Sequence, residues 1–504
     1  MTTASPSSAS APKTDTEKIA SGQNLVLACI CACTILVVGF VASINLAVPK
    51  LAACSLHPSS SQLLWIVDAY VVFFACLVIP AGALGDRFGR KGVLMSGLLV
   101  FAVGSVVSAL AGDVPVMLVG RAVTGVGAAA VLPNALAVLI HATEPARRPH
   151  AIAIWAAMSG VGGVVGNVGG GALLTAGSWR WLFAAVTPIA AGCAAWVATV
   201  APRSERHERP LDLVAGGLLT LATLALLLGI VEGPDHGWGS ALVIGAFVAA
   251  AVLFAAWMLN GLRATHPLLD PRLFRIPALR AACLGMLIAF FGMFGFFYLN
   301  ASLMQYGRGF GVLQTGLAVI PLTVPLLIGS RLVPRLVTRV GERAVLAAAF
   351  AVVALGLFGL ATAIDESYPI YAVWMVVVGC GMTLALPTLT IAISAALPRH
   401  QAGVAGGLQS TTREFGSALG VAVIGTLLTA RFVHRLAGQT RGAHTPHTVA
   451  QALASMPLRH DTVIEAYTAA AGTALKIVAI VVLAAGALII AELTWASRAA
   501  AAPV

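Results

Sequence analysis

Apolar runs of about 20 residues, separated by short polar segments, fill this chain from residue 25 onward. A run of that length crosses the hydrocarbon core of a bilayer as an α-helix, whereas a membrane β-strand needs about 10 residues in alternation. Backbone groups in lipid have no water to bond, so a spanning run satisfies them within its own helix. The pattern therefore predicts an all-α membrane protein with fourteen transmembrane helices. The predicted spans are 25–49, 62–84, 92–111, 115–140, 150–174, 182–200, 211–232, 240–261, 280–303, 313–334, 344–363, 370–396, 403–430 and 470–492.

A short polar motif occurs twice and indicates an internal repeat. It reads R-x-G-x-K-x-x-L at residues 87–94 and R-x-G-x-R-x-x-L at residues 339–346, after the second and the tenth span. Many secondary transporters are built from repeated halves, with the substrate site between them near the midplane. The chain therefore divides into two six-helix halves, 25–200 and 280–492, with a linker and an inserted helix pair at 201–279.

Polar segments flank and connect the predicted spans. Residues 1–24 are rich in Ser, Thr and Ala, which predicts a disordered cytoplasmic tail. Residues 202–210 form the charged part of the linker, and residues 431–469 predict an outer loop within the second half. Residues 493–504 predict a second cytoplasmic tail.

Composition and charge support a membrane location and argue against nucleic-acid binding. The 504 residues are 59% hydrophobic and 10% charged, with mean hydropathy +0.94, whereas a soluble domain carries about 25% charged residues. The net charge of +11 comes from Lys and Arg near the ends of the apolar runs. With the N-terminus inside, most of these charges fall on the cytoplasmic side, as the positive-inside rule requires. We therefore expect a multi-pass protein of the cell inner (plasma) membrane with both termini cytoplasmic.

Sequence motifs for other kinds of chemistry are missing. The chain contains neither the G-x-x-x-x-G-K-[ST] phosphate loop of an ATP-driven pump nor an H-E-x-x-H zinc motif. Its eight cysteines are scattered without a Cys-x-x-Cys pair, which predicts inert buried thiols. We therefore expect no enzyme activity, no metal and no cofactor.

The turn after the second span carries the strongest motif. Residues 82–91 read GALGDRFGRK and match the signature G-x-L-x-D-R-x-G-R-[RK]. On this motif, and over nearly its whole length, the chain resembles the major facilitator superfamily and, within it, the fourteen-span drug:proton antiporters. The matching residues are Gly82, Leu84, Asp86, Arg87, Gly89, Arg90 and Lys91.

This turn has a functional and a structural interpretation. Its glycines permit a sharp bend, and its arginines can pair with carboxylates in one conformation and release them in the other. We expect Asp86 to lock the first half against the thirteenth span in one conformation only. The alternative is a solvated loop that merely orients the spans.

The fifth span is rich in glycine. Gly162, Gly166, Gly170 and Gly171 match the antiporter signature G-x-x-x-G-P-x-x-G-G, with Asn167 in place of its proline. Small residues at every fourth position let helices touch and slide, and the resemblance implies a role in antiport. Ordinary helix packing is the alternative.

Two ionisable residues lie at similar depth in the second and fourth spans. Arg121 begins a stretch that resembles the family's R-x-x-Q-G-x-G-A-A, with Thr124 replacing Gln. A charge at this depth is unfavourable unless it is paired or hydrated. Arg121 therefore either controls a proton-carrying carboxylate or extends toward the outer headgroups. Asp68 is the candidate carboxylate, because both spans belong to the same half.

The acid that the family usually carries in its first span is replaced here. Asn45, Ala47 and Pro49 match the pattern D-x-T-I-V-N-V-A-L-P, but Phe40 stands in the place of the acid. This departure either shifts proton coupling to Asp68 or leaves the coupling ion open.

Arg413 and Glu414 lie near mid-depth in the thirteenth span. Adjacent residues of a helix point about 100° apart, so the two need not pair with each other. A carboxylate there can bind and release protons if burial disfavours its charged form. A structural network of buried ions is the alternative.

Polar and aromatic residues of the first and ninth spans are candidates for the substrate cavity. They are Asn45, Phe294, Asn300 and Gln305. Phe294 belongs to an aromatic cluster at 290–298, most of which we expect to pack against lipid and neighbouring helices.

Together these features favour a proton-coupled antiporter that exports hydrophobic small molecules, such as drugs or antibiotics, across the cytoplasmic membrane by alternating access. Asp68 or Glu414 carries the proton, and Arg121 and Arg413 set its affinity. The expected partners are a small hydrophobic substrate and the lipid bilayer, but no nucleic acid, and a single chain is expected to function alone. One alternative is an exporter of a dedicated metabolite or lipid without proton coupling. Another is a membrane receptor or scaffold that transports nothing.

Overall fold

The helical framework follows the predicted spans. The computed structural model of the protein describes residues 15–145, 147–202, 212–265, 267, 270–329, 332–397, 402–437, 446, 448–456 and 459–501. Within these residues the secondary structure is helical, without a strand.

The helices fall into the two predicted halves and an inserted pair. The first half comprises α1 (Asp15–Ala52), α2 (Ser60–Phe88), α3 (Arg90–Ala109), α4 (Val114–Ala142), α5 (Arg148–Ala176) and α6 (Arg180–Val200). The inserted pair comprises α7 (Leu213–His236) and α8 (Ala241–Arg263). The second half comprises α9 (Pro277–Ser302), α10 (Val312–Leu317), α11 (Ile320–Gly329), α12 (Val333–Val340), α13 (Glu342–Thr362), α14 (Tyr368–Ala395), α15 (Ala402–Ala437), α16 (Val449–Ser455) and α17 (His460–Ala501).

The number of membrane-crossing segments agrees with the sequence. Among the described residues, 13 helical segments are long and apolar enough to cross a membrane. The remaining predicted span is α5, which has 29 residues and an apolar stretch at Gly160–Ala176. The predicted all-α, fourteen-span architecture is therefore confirmed.

The predicted tenth span, 313–334, is not one continuous helix. It is divided into α10 and α11, with α12 following. Pro321 has no N–H to donate to the carbonyl of Leu317, where α10 ends, and its ring crowds that carbonyl. The predicted span is confirmed as an apolar helical segment at Val312–Gly329, and the break within it was not predicted because hydrophobicity does not register this proline.

Several helices extend beyond their predicted ends. Residues 15–24 are helical although they were expected to be disordered, and the rest of that tail lies outside the described residues. The predicted tail 493–504 is helical to residue 501, and the predicted loop 431–469 contains the end of α15, all of α16 and the start of α17. A helix that is already nucleated gains a backbone bond with each added residue, which favours such extensions. Of the charged linker, 203–210 lie outside the described residues.

Local signals set the helix ends at the two copies of the repeated motif. Gly89 separates α2 from α3 with φ 100°, and Gly341 separates α12 from α13 with φ 90°. An L-residue with a side chain adopts such a positive φ only with strain, so glycine is required at both turns. The two halves therefore share this turn as well as its sequence.

The halves pack against each other through α2 with α15, α5 with α10 and α11, and α1 with α9. We call the end that carries the α1–α2 connection the outer end and the end that carries the Gly89 turn the inner end. At the outer end, Gln305 Nε2 donates to the Leu46 carbonyl over 3.1 Å, and Tyr306 Oη donates to the Pro49 carbonyl over 3.3 Å. The halves are thus joined at their outer ends in this conformation.

Candidate functional site

Arg121 lies at the centre of the first half. Its side chain is 0% exposed, so it does not extend to the headgroups. Its Nε donates to the Ile66 carbonyl over 2.7 Å, and its Nη2 donates to the Val67 carbonyl over 3.2 Å. These carbonyls belong to the α2 turn that leads into Asp68. Arg121 is thus bonded to the backbone beside the acid.

Aromatic rings surround the guanidinium of Arg121. Its Cζ lies 5.2 Å from the ring centre of Phe40 and 4.9 Å from that of Tyr70. Phe40 also makes edge contacts with the rings of Phe101 and Phe183 at 5.4 and 5.7 Å. Cation–π attraction is strongest where water is excluded. Phe40 therefore gives Arg121 an aromatic face where the family pattern has a carboxylate.

Asp68 is buried beside this group without a partner of its own. Its side chain is 0% exposed, and neither carboxyl oxygen has a hydrogen-bond partner among the described residues. The described contacts include no ion pair between Asp68 and Arg121. An ionised carboxylate without a partner is far costlier to bury than the neutral acid. Asp68 is therefore a buried acid that the described residues leave unpaired.

Arg413 and Glu414 do pair, although neighbouring positions on a helix point in different directions. Arg413 Nε and Nη2 both lie 2.7 Å from Glu414 Oε1. The Arg413 Cζ lies 5.7 Å from the Phe290 ring centre. Flexible arginine stems close the angular gap between adjacent side chains. Glu414 is therefore held in an ion pair, in contrast to Asp68.

The motif turn is bonded within its own half. Arg90 donates to Asp86 Oδ1 across the Gly89 bend, from Nε over 2.8 Å and from Nη2 over 2.6 Å. Lys91 Nζ donates to the carbonyls of Ala198 and Ala201 at the end of α6, over 2.8 and 2.7 Å. Among the described residues Asp86 pairs with Arg90 and not with α15, so the expected lock is not formed in this conformation.

Arg87, Gly82 and Gly85 of the same motif lie close to side chains around the turn. Arg87 lies over the ring of Phe88, with 5.5 Å between its Cζ and the ring centre. A Cβ added to Gly82 would lie 3.6 Å from Pro133 on α4, and one added to Gly85 would overlap the Asn134 amide. α2 and α4 therefore approach closely at the inner end.

The glycines of α5 form two contact surfaces. A Cβ added to Gly166 would lie 2.0 Å from the Gly39 carbonyl oxygen, and one added to Gly170 would lie 2.5 Å from Ser43 Cβ, both on α1. Gly162 faces the same helix, whereas a Cβ added to Gly171 would lie 3.0 Å from Leu313 Cα on α10. The signature glycines thus let α5 touch both its own half and the opposite one.

Asn167 stands where the family signature has proline. It donates from Nδ2 to the Gly163 carbonyl over 2.9 Å. α5 runs from Arg148 to Ala176 without a break at this position. Unlike proline, Asn167 keeps a backbone N–H that can donate within the helix.

The four candidates for the substrate cavity are not gathered into one site. Gln305 helps to close the outer end, and Asn300 Oδ1 accepts from Tyr371 Oη over 3.0 Å within the second half. Phe294 lies between the rings of Phe290 and Phe297, and Asn45 is buried.

A small cavity of about 60 Å³ lies at the outer end between the halves. Tyr298, Tyr306 and Tyr467 line it. None of the four candidates for the substrate cavity does.

Tyr70 is the residue that the sequence interpretation missed. Its ring lies against the Arg121 guanidinium and makes an edge contact with Phe40, and its hydroxyl has no hydrogen-bond partner among the described residues. Its position two residues after Asp68 was the available signal, but a tyrosine in an apolar helix is unremarkable until its neighbours are known.

Some known proteins are similar to this chain in sequence, and some solved structures are similar to it in fold. The sequence profile of the Major Facilitator Superfamily matches residues 30–421. The tetracenomycin C resistance and export protein of Streptomyces glaucescens is 32% identical, over 75% of this chain and 70% of its own. The cephamycin export protein of Amycolatopsis lactamdurans is 32% identical, over 83% and 87%. The methylenomycin A resistance protein of Streptomyces coelicolor is 30% identical, over 78% and 85%.

Solved structures show the same arrangement of helices. A bacterial homologue of the human lysosomal transporter Spinster superposes with a TM-score of 0.69 at 16% identity, covering 94% of this chain and 97% of its own. An auto-inhibited peptide transporter of the POT family superposes with a TM-score of 0.61 at 16% identity, with the same coverage. At this identity the likeness concerns the fold.

Proposed function

The chain belongs to the major facilitator superfamily and is a membrane efflux transporter rather than an enzyme, and from that premise we propose that it is a proton-coupled antiporter for hydrophobic small molecules. The named relatives are proteins of antibiotic export and resistance. We further propose that it works as a single chain in the cytoplasmic membrane, with both termini inside.

The buried, unpartnered carboxyl of Asp68 is the observation that carries this proposal. A group that exchanges protons during transport must be stable in its neutral form and must gain a proton acceptor or water when the conformation changes. Asp68 meets the first condition. Arg121 of α4 donates to the carbonyls of the residues one and two positions before Asp68 on α2. A movement of α2 relative to α4 therefore changes the positive field at Asp68.

The mechanism assigns different roles to the two candidate carriers. When the cavity opens outward, a proton neutralises Asp68 as the substrate leaves. When it opens inward, Asp68 releases the proton and substrate binds. Glu414 already has Arg413 as counter-ion. We therefore assign Glu414 a role in the stability of α15, and we assign proton coupling to Asp68.

The test uses purified protein in liposomes under an imposed pH gradient, with ethidium as substrate. Asp68→Asn should abolish uphill transport driven by the gradient and leave downhill ethidium exchange intact, because the amide is neutral at every pH. Asp113→Asn is the matched control, since Asp113 caps α4 through Val116 N over 2.8 Å and asparagine caps equally well. Full uphill transport by Asp68→Asn would remove the coupling assignment.

A second candidate function rests on Phe40. Its ring occupies the place of the usual acid and faces Arg121, so this position has no group that binds a proton. This replacement favours export of a dedicated metabolite or lipid without proton movement. The two functions separate when proton flux is recorded with a pH-sensitive dye during substrate efflux. Efflux accompanied by proton uptake supports antiport, and efflux without it supports the uncoupled exporter.

A further inference from the structure

The second copy of the repeated turn carries an arginine whose equivalent in the first half is bonded. In the first half, Lys91 donates to the carbonyls of Ala198 and Ala201, where α6 ends. Arg343 stands at the equivalent position of the second copy. The last helix of the second half, α17, continues to Ala501 and offers no such helix end at this level. Arg343 is exposed, and it forms no hydrogen bond or ion pair with any described residue.

A groove of about 610 Å³ lies between α13 and α17, one helical turn from Arg343. Ala347 and Ala351 belong to its α13 wall. Residues four apart share a helix face, so Arg343 stands on the same face as these two alanines. The two helices meet at the floor of the groove, where a Cβ added to Gly486 would lie 2.6 Å from Phe350 Cβ. The arginine therefore stands at the inner mouth of the groove.

The groove runs from the membrane surface toward the midplane. Its α17 wall extends from Leu483 to Trp495, a rise of about 18 Å along the helix. The hydrocarbon part of one leaflet is about 15 Å thick. Trp495 is 67% exposed at the inner end of the groove, and tryptophan rings favour the headgroup level. The length and depth of the groove therefore fit an extended acyl chain.

We propose that this groove binds an anionic phospholipid of the inner leaflet, with an acyl chain between α13 and α17 and its phosphate beside Arg343. A chain in the groove contacts protein on several sides, so it gains more dispersion energy than a chain on a convex helix surface. The inference goes beyond the proposed function and does not rest on it, because the groove lies on the outside of the second half.

The charges around the inner mouth favour an anionic headgroup. Arg339 is exposed just before the turn that leads into α13. Glu492 of α17 is already paired with Arg280. Glu342 begins a different face of α13, which continues through the buried Leu346. The arginines at the mouth thus keep their attraction for a phosphate.

The same charges disfavour a second copy of this chain as the occupant. Subunits of a dimer most often face each other about a twofold axis, so each residue near the axis meets its own copy. A symmetric contact through this groove would bring the two Arg343 side chains close together. Such like-charge pairs weaken an interface.

The experiment measures lipid binding to the full chain, freed of bound lipid in a non-ionic detergent, by native mass spectrometry. The probes are phosphatidylglycerol, which is anionic, and phosphatidylcholine with the same chains, which has no net charge. The wild type should bind phosphatidylglycerol about fivefold more tightly, the usual contribution of one basic residue at an anionic surface. Arg343→Gln should remove this preference and leave phosphatidylcholine binding unchanged.

A second variant blocks the acyl chain instead of the phosphate. Ala351→Trp places an indole in the groove and should weaken the binding of both lipids at least about tenfold. Ala348→Trp is its control, because Ala348 is exposed on the same helix but does not line the groove. Arg263→Gln is the control for charge, since Arg263 is exposed in the last turn of α8. Both controls should bind each lipid within about twofold of the wild type.

Loss of the lipid preference in Arg343→Gln, together with loss of binding in Ala351→Trp alone of the two tryptophan variants, supports the site. Equal affinity of the wild type for the two lipids overturns it. An equal effect of Arg263→Gln and Arg343→Gln also overturns it, because the attraction would then be general. Displacement of phosphatidylglycerol by glycerol 3-phosphate would reduce the site to an anion site and reject the lipid. A dimer that Ala351→Trp converts to a monomer in light scattering would assign the groove to a second copy.

Discussion

Arg121 shows how a charge is accommodated deep within an apolar bundle. Two carbonyls accept its hydrogen bonds, and the rings of Phe40 and Tyr70 cover its faces. Lysine carries its three donors on one nitrogen and lacks the planar, forked group that bonds two carbonyls while its faces lie against rings. The positive field at Asp68 therefore depends on guanidinium geometry as well as on charge.

At the scale of single residues, the ion pair between Arg413 and Glu414 on α15 leads to a prediction about stability. Glu414→Gln leaves the Arg413 guanidinium without its counter-ion in a largely buried site. We expect a loss of about 3 kcal/mol in the free energy of unfolding, near the lower limit for breaking a buried pair because Arg413 is partly exposed. Thermal unfolding in detergent measures the loss.

The control for Glu414→Gln is the double variant Arg413→Met with Glu414→Met. It removes both charges and should recover most of the lost stability. Coupled transport should persist in the double variant. A loss of coupling without a loss of stability would instead make Glu414 a proton carrier.

At the scale of elements, the approach of α5 to α1 depends on glycine. Gly166→Ala would place a methyl group 2.0 Å from the Gly39 carbonyl oxygen, and a backbone cannot move aside cheaply. We expect a lowered Tm and impaired transport. Gly169→Ala, which adds the same methyl group at an exposed position of α5, should leave the Tm unchanged or raise it slightly. Equal effects of the two substitutions would mean that helix propensity, rather than contact with α1, decides the outcome.

The turn between α2 and α3 leads to a prediction about function rather than folding. Asp86→Asn removes the charge that holds Arg90, and the loop is half-exposed, so the stability effect should stay below about 1 kcal/mol. We expect transport to fall while membrane insertion stays normal, as measured by flux and by protease protection in the same vesicles. Failure of insertion would make the turn an orientation signal only.

At the scale of the whole molecule, the outer ends hold the halves together. Tyr306→Phe removes the bond to the Pro49 carbonyl, which should favour the outward-open state by about 1 kcal/mol, the net strength of one such bond. Faster hydrogen exchange at the outer ends of α1 and α9 would report this shift. Tyr368→Phe is the control, because its bond to Ala318 lies within the second half. If both variants changed exchange alike, the Tyr306 bond would have no role in closing the outer end.

The sequence by itself determined the helices, the repeated turn and the family. Lipid forces each apolar segment to form a helix, and positive φ requires glycine at Gly89 and Gly341. These constraints act on residues close together in the chain, so the sequence alone predicts their outcome. The same reasoning missed the break before α11 because hydrophobicity does not register the missing N–H of Pro321.

Only the tertiary structure decided which side chains meet. The sequence placed Arg121 and Asp68 at similar depth and allowed them to pair. Packing instead bonded Arg121 to the carbonyls beside Asp68 and set its guanidinium against the ring of Phe40. It likewise joined Arg413 to Glu414 and placed α7 in contact with both α2 and α15. Helix rotation and side-chain reach set these contacts through residues far apart in the chain, and hydrophobic periodicity in a membrane constrains neither.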